Sequence, residues 1–542
     1  MNDIEPEGVL GSFDAAPAPP EDALARAKLP HTDVGNAERL RMAHGEDLRF
    51  VPGLGWVVWS GRIWEAEFGE TAALTIASRL PDLLAEEAAA LSSAPVPKAQ
   101  LDAWLAENEG ETAEAGRKAI RAARRRGASA FAKTCGGLPR LNAALTLVRD
   151  HCRARMIDLD PEPFLITAGN GELDLNKLAE NAPDPQGCFD GWEEAWAAHV
   201  RACLGPHRRE SLSTRMLGCD VDPGVAAPGW DAFLTVALPD PNMRAFAQRV
   251  AGYLLCGRNG LRICAVMLGP GGNGKSAFAN GLTRVLGRYA AACRIEMFLE
   301  ARTASQGPTP EEAVLPGARA YIASEPEPDA TLSGSKIKGV TGGERRLAHA
   351  KGKAPFEWLP HGKPLLSFND VPRITDVSEG MWRRLTFIPF KVKLHELPPE
   401  AQVADDDFAE ILDREASGIL DWMLRGWVEL RRGGLRPPEE ATLIKAQQRA
   451  VADPIGEFLA DCTIAQPASA IQSSEMHKVF EVWCERNNVK PYGITKFGRT
   501  LNNKGLLRTK RNGVNVWHHL DWSNEDHVRD MVQRALSERG GA

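Results

Sequence analysis

Residues 269–276 read GPGGNGKS, a glycine-rich octet closed by a lysine and a hydroxyl residue. The spacing G-x-x-x-x-G-K-[ST] is what a loop needs to wrap the phosphates of a nucleotide. Gly269, Gly271, Gly272 and Gly274 permit a tight turn in which backbone N–H groups, Asn273's among them, face inward. Lys275 is then placed to reach the β- and γ-phosphates, and Ser276 to ligate Mg2+. LRICAVML (261–268) ahead of the octet is short and apolar, as one buried strand would be. SAFANGLTRVLG behind it carries apolar positions at helical spacing. A helix starting there adds free N–H groups and a partial positive charge. ATP binding is the chemistry this pattern points to.

Hydrolysis also needs an acid beside the metal and a positioned water. ARAYIA (318–323) reads as a strand, and Glu325 follows it, the candidate for metal coordination or water activation. Glu327 is the second candidate, and a surface-turn role for either is the plain alternative. KPLLSFND (363–370) is the next strand, and Asn369 at its end can hold water or sense the γ-phosphate, or simply form a turn. Arg383 and Arg384 precede the apolar run LTFIPF. A guanidinium there suits a neighbouring subunit's γ-phosphate, or an ion pair on a domain surface. Between these strands, residues 336–353 gather Lys336, Lys338, Arg345, Arg346, His349, Lys351 and Lys353, the charge a hairpin needs to follow a polyanion backbone or merely a solvated face.

These elements must be carried by more than one core. A chain of 542 residues predicts three or four domains. The net charge of −7 excludes a uniformly basic coat, leaving local charge to decide nucleic-acid contact. The ten cysteines form no C-x-x-C pair, so neither a zinc site nor a thioredoxin-like site is signalled, and a reducing, cytoplasmic setting is expected. No run of eighteen apolar residues occurs, so no membrane span is expected. The acidic, proline-rich opening predicts a disordered tail rather than a signal peptide. LRFVPGLGWVVWSGRIWEA (48–66) predicts a hairpin whose Trp56, Trp59 and Trp64 pack a small core or stack on bases. RKAIRAARRR (117–126) places Arg117, Arg121, Arg124, Arg125 and Arg126 on a helical segment, open equally to phosphate contact and to a solvated face. FLITAGNGELDLN predicts a hairpin turned at Asn170–Gly171. From 261 to 392 strands and helices alternate, the pattern of a parallel sheet. The tail predicts helices over 452–462, 473–487 and 494–506, then a basic hairpin turned at Asn512–Gly513, the order of a winged helix-turn-helix. Lys496, Arg499, Lys504, Arg508, Lys510 and Arg511 lie on its last helix and wing.

Taken together, GPGGNGKS, IASEPE, KGVTGGERR, LLSFND and MWRRLTFIPF resemble, in order and spacing, the superfamily 3 helicases, specifically the phage/plasmid primase C-terminal family that includes the poxvirus primase-helicase. FLITAGNGELDL, TRMLGCDVDPGVAAPGWDAFL and EASGILDWMLRGW resemble the family's flanking segments. The resemblance implies a multidomain α/β chain. Its parts would be a tail (1–40), an N-terminal accessory domain (41–163), a family-specific helical domain (164–256), an ATPase core of AAA+ type (257–395), a helical extension (396–450) and a C-terminal winged helix (451–525). It implies Lys275 and Ser276 as the phosphate and Mg2+ pair, Glu325 as the Walker B acid, Asn369 as sensor, and Arg384 or Arg383 as the finger completing the adjacent subunit's site. It implies ATP hydrolysis by a hexameric ring moving on single-stranded or forked DNA, with Lys338 and the 344–353 segment on the strand. A mobile-element or phage setting in a bacterial cell, with a separate primase or polymerase as partner, goes with it. Glu344 stands where the family has aspartate. Residues 1–163 show no D-x-D…H arrangement, so primer synthesis is not expected of this chain. A DNA-binding ATPase that does not unwind, such as a loader, packaging or defence component, is the alternative.

Overall fold

The computed structural model describes residues 20–184, 190–300, 310–324, 330–348, 355–397, 405–487, 489–511 and 513–537. Its centre is a five-stranded parallel sheet of β1 (Cys264–Leu268), β2 (Ala290–Ala292), β3 (Ala320–Ser324), β4 (Lys363–Phe368) and β5 (Leu385–Pro389), in the order β5-β1-β4-β3-β2. β1 is buried along its whole length, as are β4 and β5, which is why these segments read as continuous apolar runs. The chain leaves β1 toward β2 at one edge and leaves β4 toward β5 on the other side of β1. The carboxyl ends of β1 and β4 therefore flank a switch point, the place where open parallel sheets bind ligands.

One face of the sheet is covered by a core that joins helices Pro228–Ala237, Pro241–Leu254, Lys275–Leu286 and Ala416–Gly433. Trp230, fully buried, stacks on Phe278 of the helix that follows the glycine loop, with ring centroids 5.6 Å apart. The Glu415 carboxylate accepts from the Gly229 and Trp230 N–H groups at 3.0 and 2.9 Å, satisfying two free donors at that helix start. The opposite face is covered by helix Gly334–Thr341 and the hairpin Arg346–Ala348/Phe356–Trp358.

The hairpin expected at 165–174 is present, with Ala168 opposite Gly171. Residues 48–65 form three short antiparallel strands rather than two, with a first turn at 52–54 and a second around Ser60–Gly61. Trp56 and Trp64 are buried there and pack a core, and the Trp64 indole donates to the Arg209 carbonyl at 2.8 Å. The tail has helices Pro454–Cys462, Ser473–Arg486 and Ile494–Asn503 and the paired strands Arg508–Arg511 and Val514–Trp522. It adds two elements the sequence did not announce, strand Thr463–Gln472 beside Val514–Trp522 and helix Asp526–Ser537. Among the described residues no helix is long and apolar enough to cross a membrane.

Candidate functional site

The glycine loop leaves β1 at its carboxyl end and is held from the β5 side. Gly269 sits at φ +155°, where a Cβ would meet the Phe390 carbonyl oxygen at 1.9 Å. Gly274 caps the next helix at φ +88°, where a Cβ would press the Phe233 ring at 2.8 Å. Only glycine meets both demands. The Asn273 side chain, 1% exposed, turns inward. Its Nδ2 donates to the Phe390 carbonyl at 2.6 Å and its Oδ1 accepts from Lys275 Nζ at 3.0 Å. The Leu394 N–H donates to the Gly272 carbonyl at 2.8 Å. Among the described residues, the N–H groups of Asn273, Gly274, Lys275 and Ser276 have no acceptor, so a row of donors stands at the positive end of the helix Lys275–Leu286.

Lys275 is 6% exposed, and its ammonium is met by neutral oxygens alone. It donates to the carbonyls of Gly269 and Pro270 and, at 3.2 Å, to Asn369 Oδ1. Burial without a counter-charge pushes its pKa below the ordinary lysine value. Asn369 follows β4, so the switch point brings together a loop and an amide 94 residues apart in sequence. Ser276 is exposed beside them. β3 ends at Ser324, in register with Ser367 of β4. Glu325 and Glu327 follow it and lie outside the described residues. Among the described residues no cluster of three acidic, histidine or cysteine side chains stands ready for a metal.

Arg383 and Arg384 are at the amino end of β5, roughly 13 Å along the strand from the loop edge. Arg384 is 7% exposed and committed internally: Nε donates to Thr341 Oγ1 at 2.9 Å and Nη1 to the Gly380 carbonyl. Burial, then the nearby Arg262 and Arg383, lowers its pKa. Arg383 is exposed, and among the described residues its side chain makes no hydrogen bond or ion pair. Arg384 fastens the fold and Arg383 is free to reach outward.

The basic segment is less free than its composition implies. Lys338 pairs with Asp376 at 2.7 Å and bonds Ser378 Oγ at 2.7 Å. Arg346 pairs with Glu312 at 2.7 Å, and Arg345 stands 3.6 Å from Glu357. Lys336 donates to the Glu296 carbonyl at 2.9 Å. His349, Lys351 and Lys353 lie outside the described residues. Asp376, Ser378 and Thr341 were not singled out in the sequence, and no spacing signal marks them. They tie helix Gly334–Thr341 to the segment carrying the arginine pair at two points, Lys338 to Asp376 and Thr341 to Arg384. In the tail, Lys496, Arg499, Arg508, Lys510 and Arg511 are all exposed and make no ion pair among the described residues. Lys496 lies over Tyr492 at 3.8 Å, whereas Lys504 pairs with Asp453.

Two family models match this chain. One, "D5 N terminal like", covers residues 37–239, and the other, "Poxvirus D5 protein-like", covers residues 451–524. Both models describe D5 proteins, and together they support a D5-like primase-helicase family for this chain. Among curated relatives it is 28% identical over 271 residues to L207/L206 of Acanthamoeba polyphaga mimivirus, named as a proposed helicase. It is 25% identical over 281 residues to 022R of Frog virus 3 (isolate Goorha), named in the same way. Those matches take in 47% and 49% of this chain but only 28% of each relative. Among solved structures, the C-terminal region of NrS-1 overlays 53% of this chain and 74% of its own at 13% identity and a TM-score of 0.35, a likeness too loose to define the fold.

Proposed function

We propose that this chain is an ATP-driven DNA helicase of replication, built on a P-loop core of AAA+ type with a C-terminal winged helix. The observation that carries the reading is the meeting of Lys275 and Asn369 beneath a row of free N–H donors at the switch point of a parallel sheet. A buried ammonium held by neutral oxygens is ready to exchange them for phosphate oxygens, which remove its desolvation penalty. Magnesium, when bound through Ser276, supplies charge neutralisation at the β- and γ-phosphates. Asn369 orients the attacking water, and Glu325 takes its proton. Arg383 of a neighbouring protomer stabilises the transferred phosphoryl group, which makes the assembled ring, a hexamer, the active form. The exposed cations of the tail, together with His349, Lys351 and Lys353, hold the DNA strand.

A second reading has its own support. The described cations Lys338, Arg345 and Arg346 are neutralised by acids of the same chain, which favours a DNA-binding ATPase that does not separate strands. Strand displacement on a forked duplex, with and without ATP, decides between them. Displacement that requires ATP and is abolished by Lys275→Ala supports the helicase. DNA-stimulated turnover without displacement supports the alternative. Absence of turnover from the assembled protein rejects both.

A further inference from the structure

From Ala115 to Arg149 the chain carries nine lysines and arginines and no acid, although its net charge is −7. Most of these lie on one helix, Ala113–Cys135, which at 23 residues is roughly 34 Å long. Glycine and alanine residues face the neighbouring helices, Gly116 lying against Leu101 and Trp104, so the long side chains are left to the outer faces. Lys118 and Arg125 are seven residues apart and share one face, with Arg126 beside them, and all three are exposed. Arg121 and Arg124 lie to one side of this stripe. Their guanidinium groups donate to the Ala94 carbonyl and to Gln100 Oε1, neutral acceptors that orient the charge without cancelling it. None of the nine cations makes an ion pair among the described residues. In sequence, Glu107, Glu109, Glu111 and Glu114 precede the first cation and Asp150 follows the last, so the run is bounded at both ends.

We propose that this helix is a second nucleic-acid surface, and that its partner is the backbone of duplex DNA. A single strand is gripped by aromatic platforms between cations. The only aromatic residue on the helix, Phe131, is already covered by His31, stacked at 4.8 Å, and by Arg140 at 5.2 Å. What remains is an unneutralised rod about as long as one turn of B-form DNA, which reads phosphate charge and shape but no bases. The surface gives the N-terminal region a purpose separate from ATP hydrolysis: holding duplex beside the motor.

The test is equilibrium binding of the full chain, without nucleotide, to a 5′-labelled duplex of about one and a half turns and to its single strand, over a salt series. The variant is Lys118→Ala/Arg125→Ala/Arg126→Ala, at exposed positions where alanine favours the helix. The slope of log K against log salt is expected to shrink by about 2.7 for duplex, at roughly 0.9 for each phosphate no longer neutralised. The single-strand slope is expected to change by less than about 1. A duplex slope equal to the parent's overturns the proposal. Equal losses on duplex and single strand overturn the duplex assignment. The glutamine triple variant gives the same reading should the alanine variant fail to fold. Turnover in the absence of DNA stays at the parent's rate in either variant, which separates this surface from the nucleotide site.

Discussion

Replacing Arg383 and Arg384 one at a time separates two roles that the sequence leaves fused. Arg384→Ala removes two charge-assisted hydrogen bonds, to Thr341 Oγ1 and to the Gly380 carbonyl. Each such bond contributes about 1.5–3 kcal/mol. Removing a buried cation that sits near Arg262 and Arg383 returns part of that sum. Thr341 keeps its own bond to the Ile337 carbonyl at 2.6 Å, so one polar group is left alone rather than two. The net loss comes to about 2 kcal/mol, or roughly 4–8 °C in the melting temperature of a unit this size. Arg384→Lys recovers the charge but not the fork, and its melting temperature falls between the two. Arg383→Ala touches nothing inside the chain and leaves stability within about 0.5 kcal/mol. On the proposed trans contact to a neighbour's phosphate, its loss is expected to slow turnover by at least about a thousandfold, some 4 kcal/mol of barrier. The assays are thermal unfolding of both variants and DNA-stimulated phosphate release over a series of protein concentrations. An Arg383→Ala protein with the parent's turnover refutes the trans contact. An Arg384→Ala protein with the parent's melting temperature refutes the reading of Arg384 as a fastening.

Asn369→Ala removes the amide facing Lys275 and is expected to lower kcat by about a hundredfold while KM for ATP moves less than threefold, read from steady-state kinetics. Lys363 is fully buried, and burial lowers its pKa from 10.5 to about 8. Because the folded state gives up that proton first, the stability gap between parent and Lys363→Met moves in the parent's favour as pH rises from 8 toward 10.5. Urea unfolding of both proteins at pH 7 and pH 9.5 reads the sign, and a gap that moves in the variant's favour over that interval contradicts it. In the wing, Arg508→Ala/Lys510→Ala/Arg511→Ala is expected to reduce the salt slope of single-strand binding by about 2, with turnover in the absence of DNA unchanged.

What the sequence reveals and what it conceals divide along a physical line. The glycine loop, the strand before it and the helix after it are legible because each is specified locally, by φ-permissive glycines, an apolar run and helical spacing. Asn369 is legible as a strand-end amide, and the wing as a hairpin with a glycine turn. The strand Thr463–Gln472 is not, because TIAQPASAIQ has neither alternation nor β-branched density. Its ladder shifts register between Ala465 and Ala470, and it becomes a strand only by lying against Val514–Trp522. The pairing of charges is hidden for the same reason. KGVTGGERR reads as an open basic loop until Glu312, Glu357 and Asp376 arrive from other elements to neutralise it. The basic run 117–126 reads equally as a phosphate contact or a solvated face, and among the described residues no acid pairs with it. Charge density along a chain therefore leaves both segments undecided. Where a cation's counter-charge comes from is decided by tertiary packing, and the cations left without one are those a polyanion can still claim.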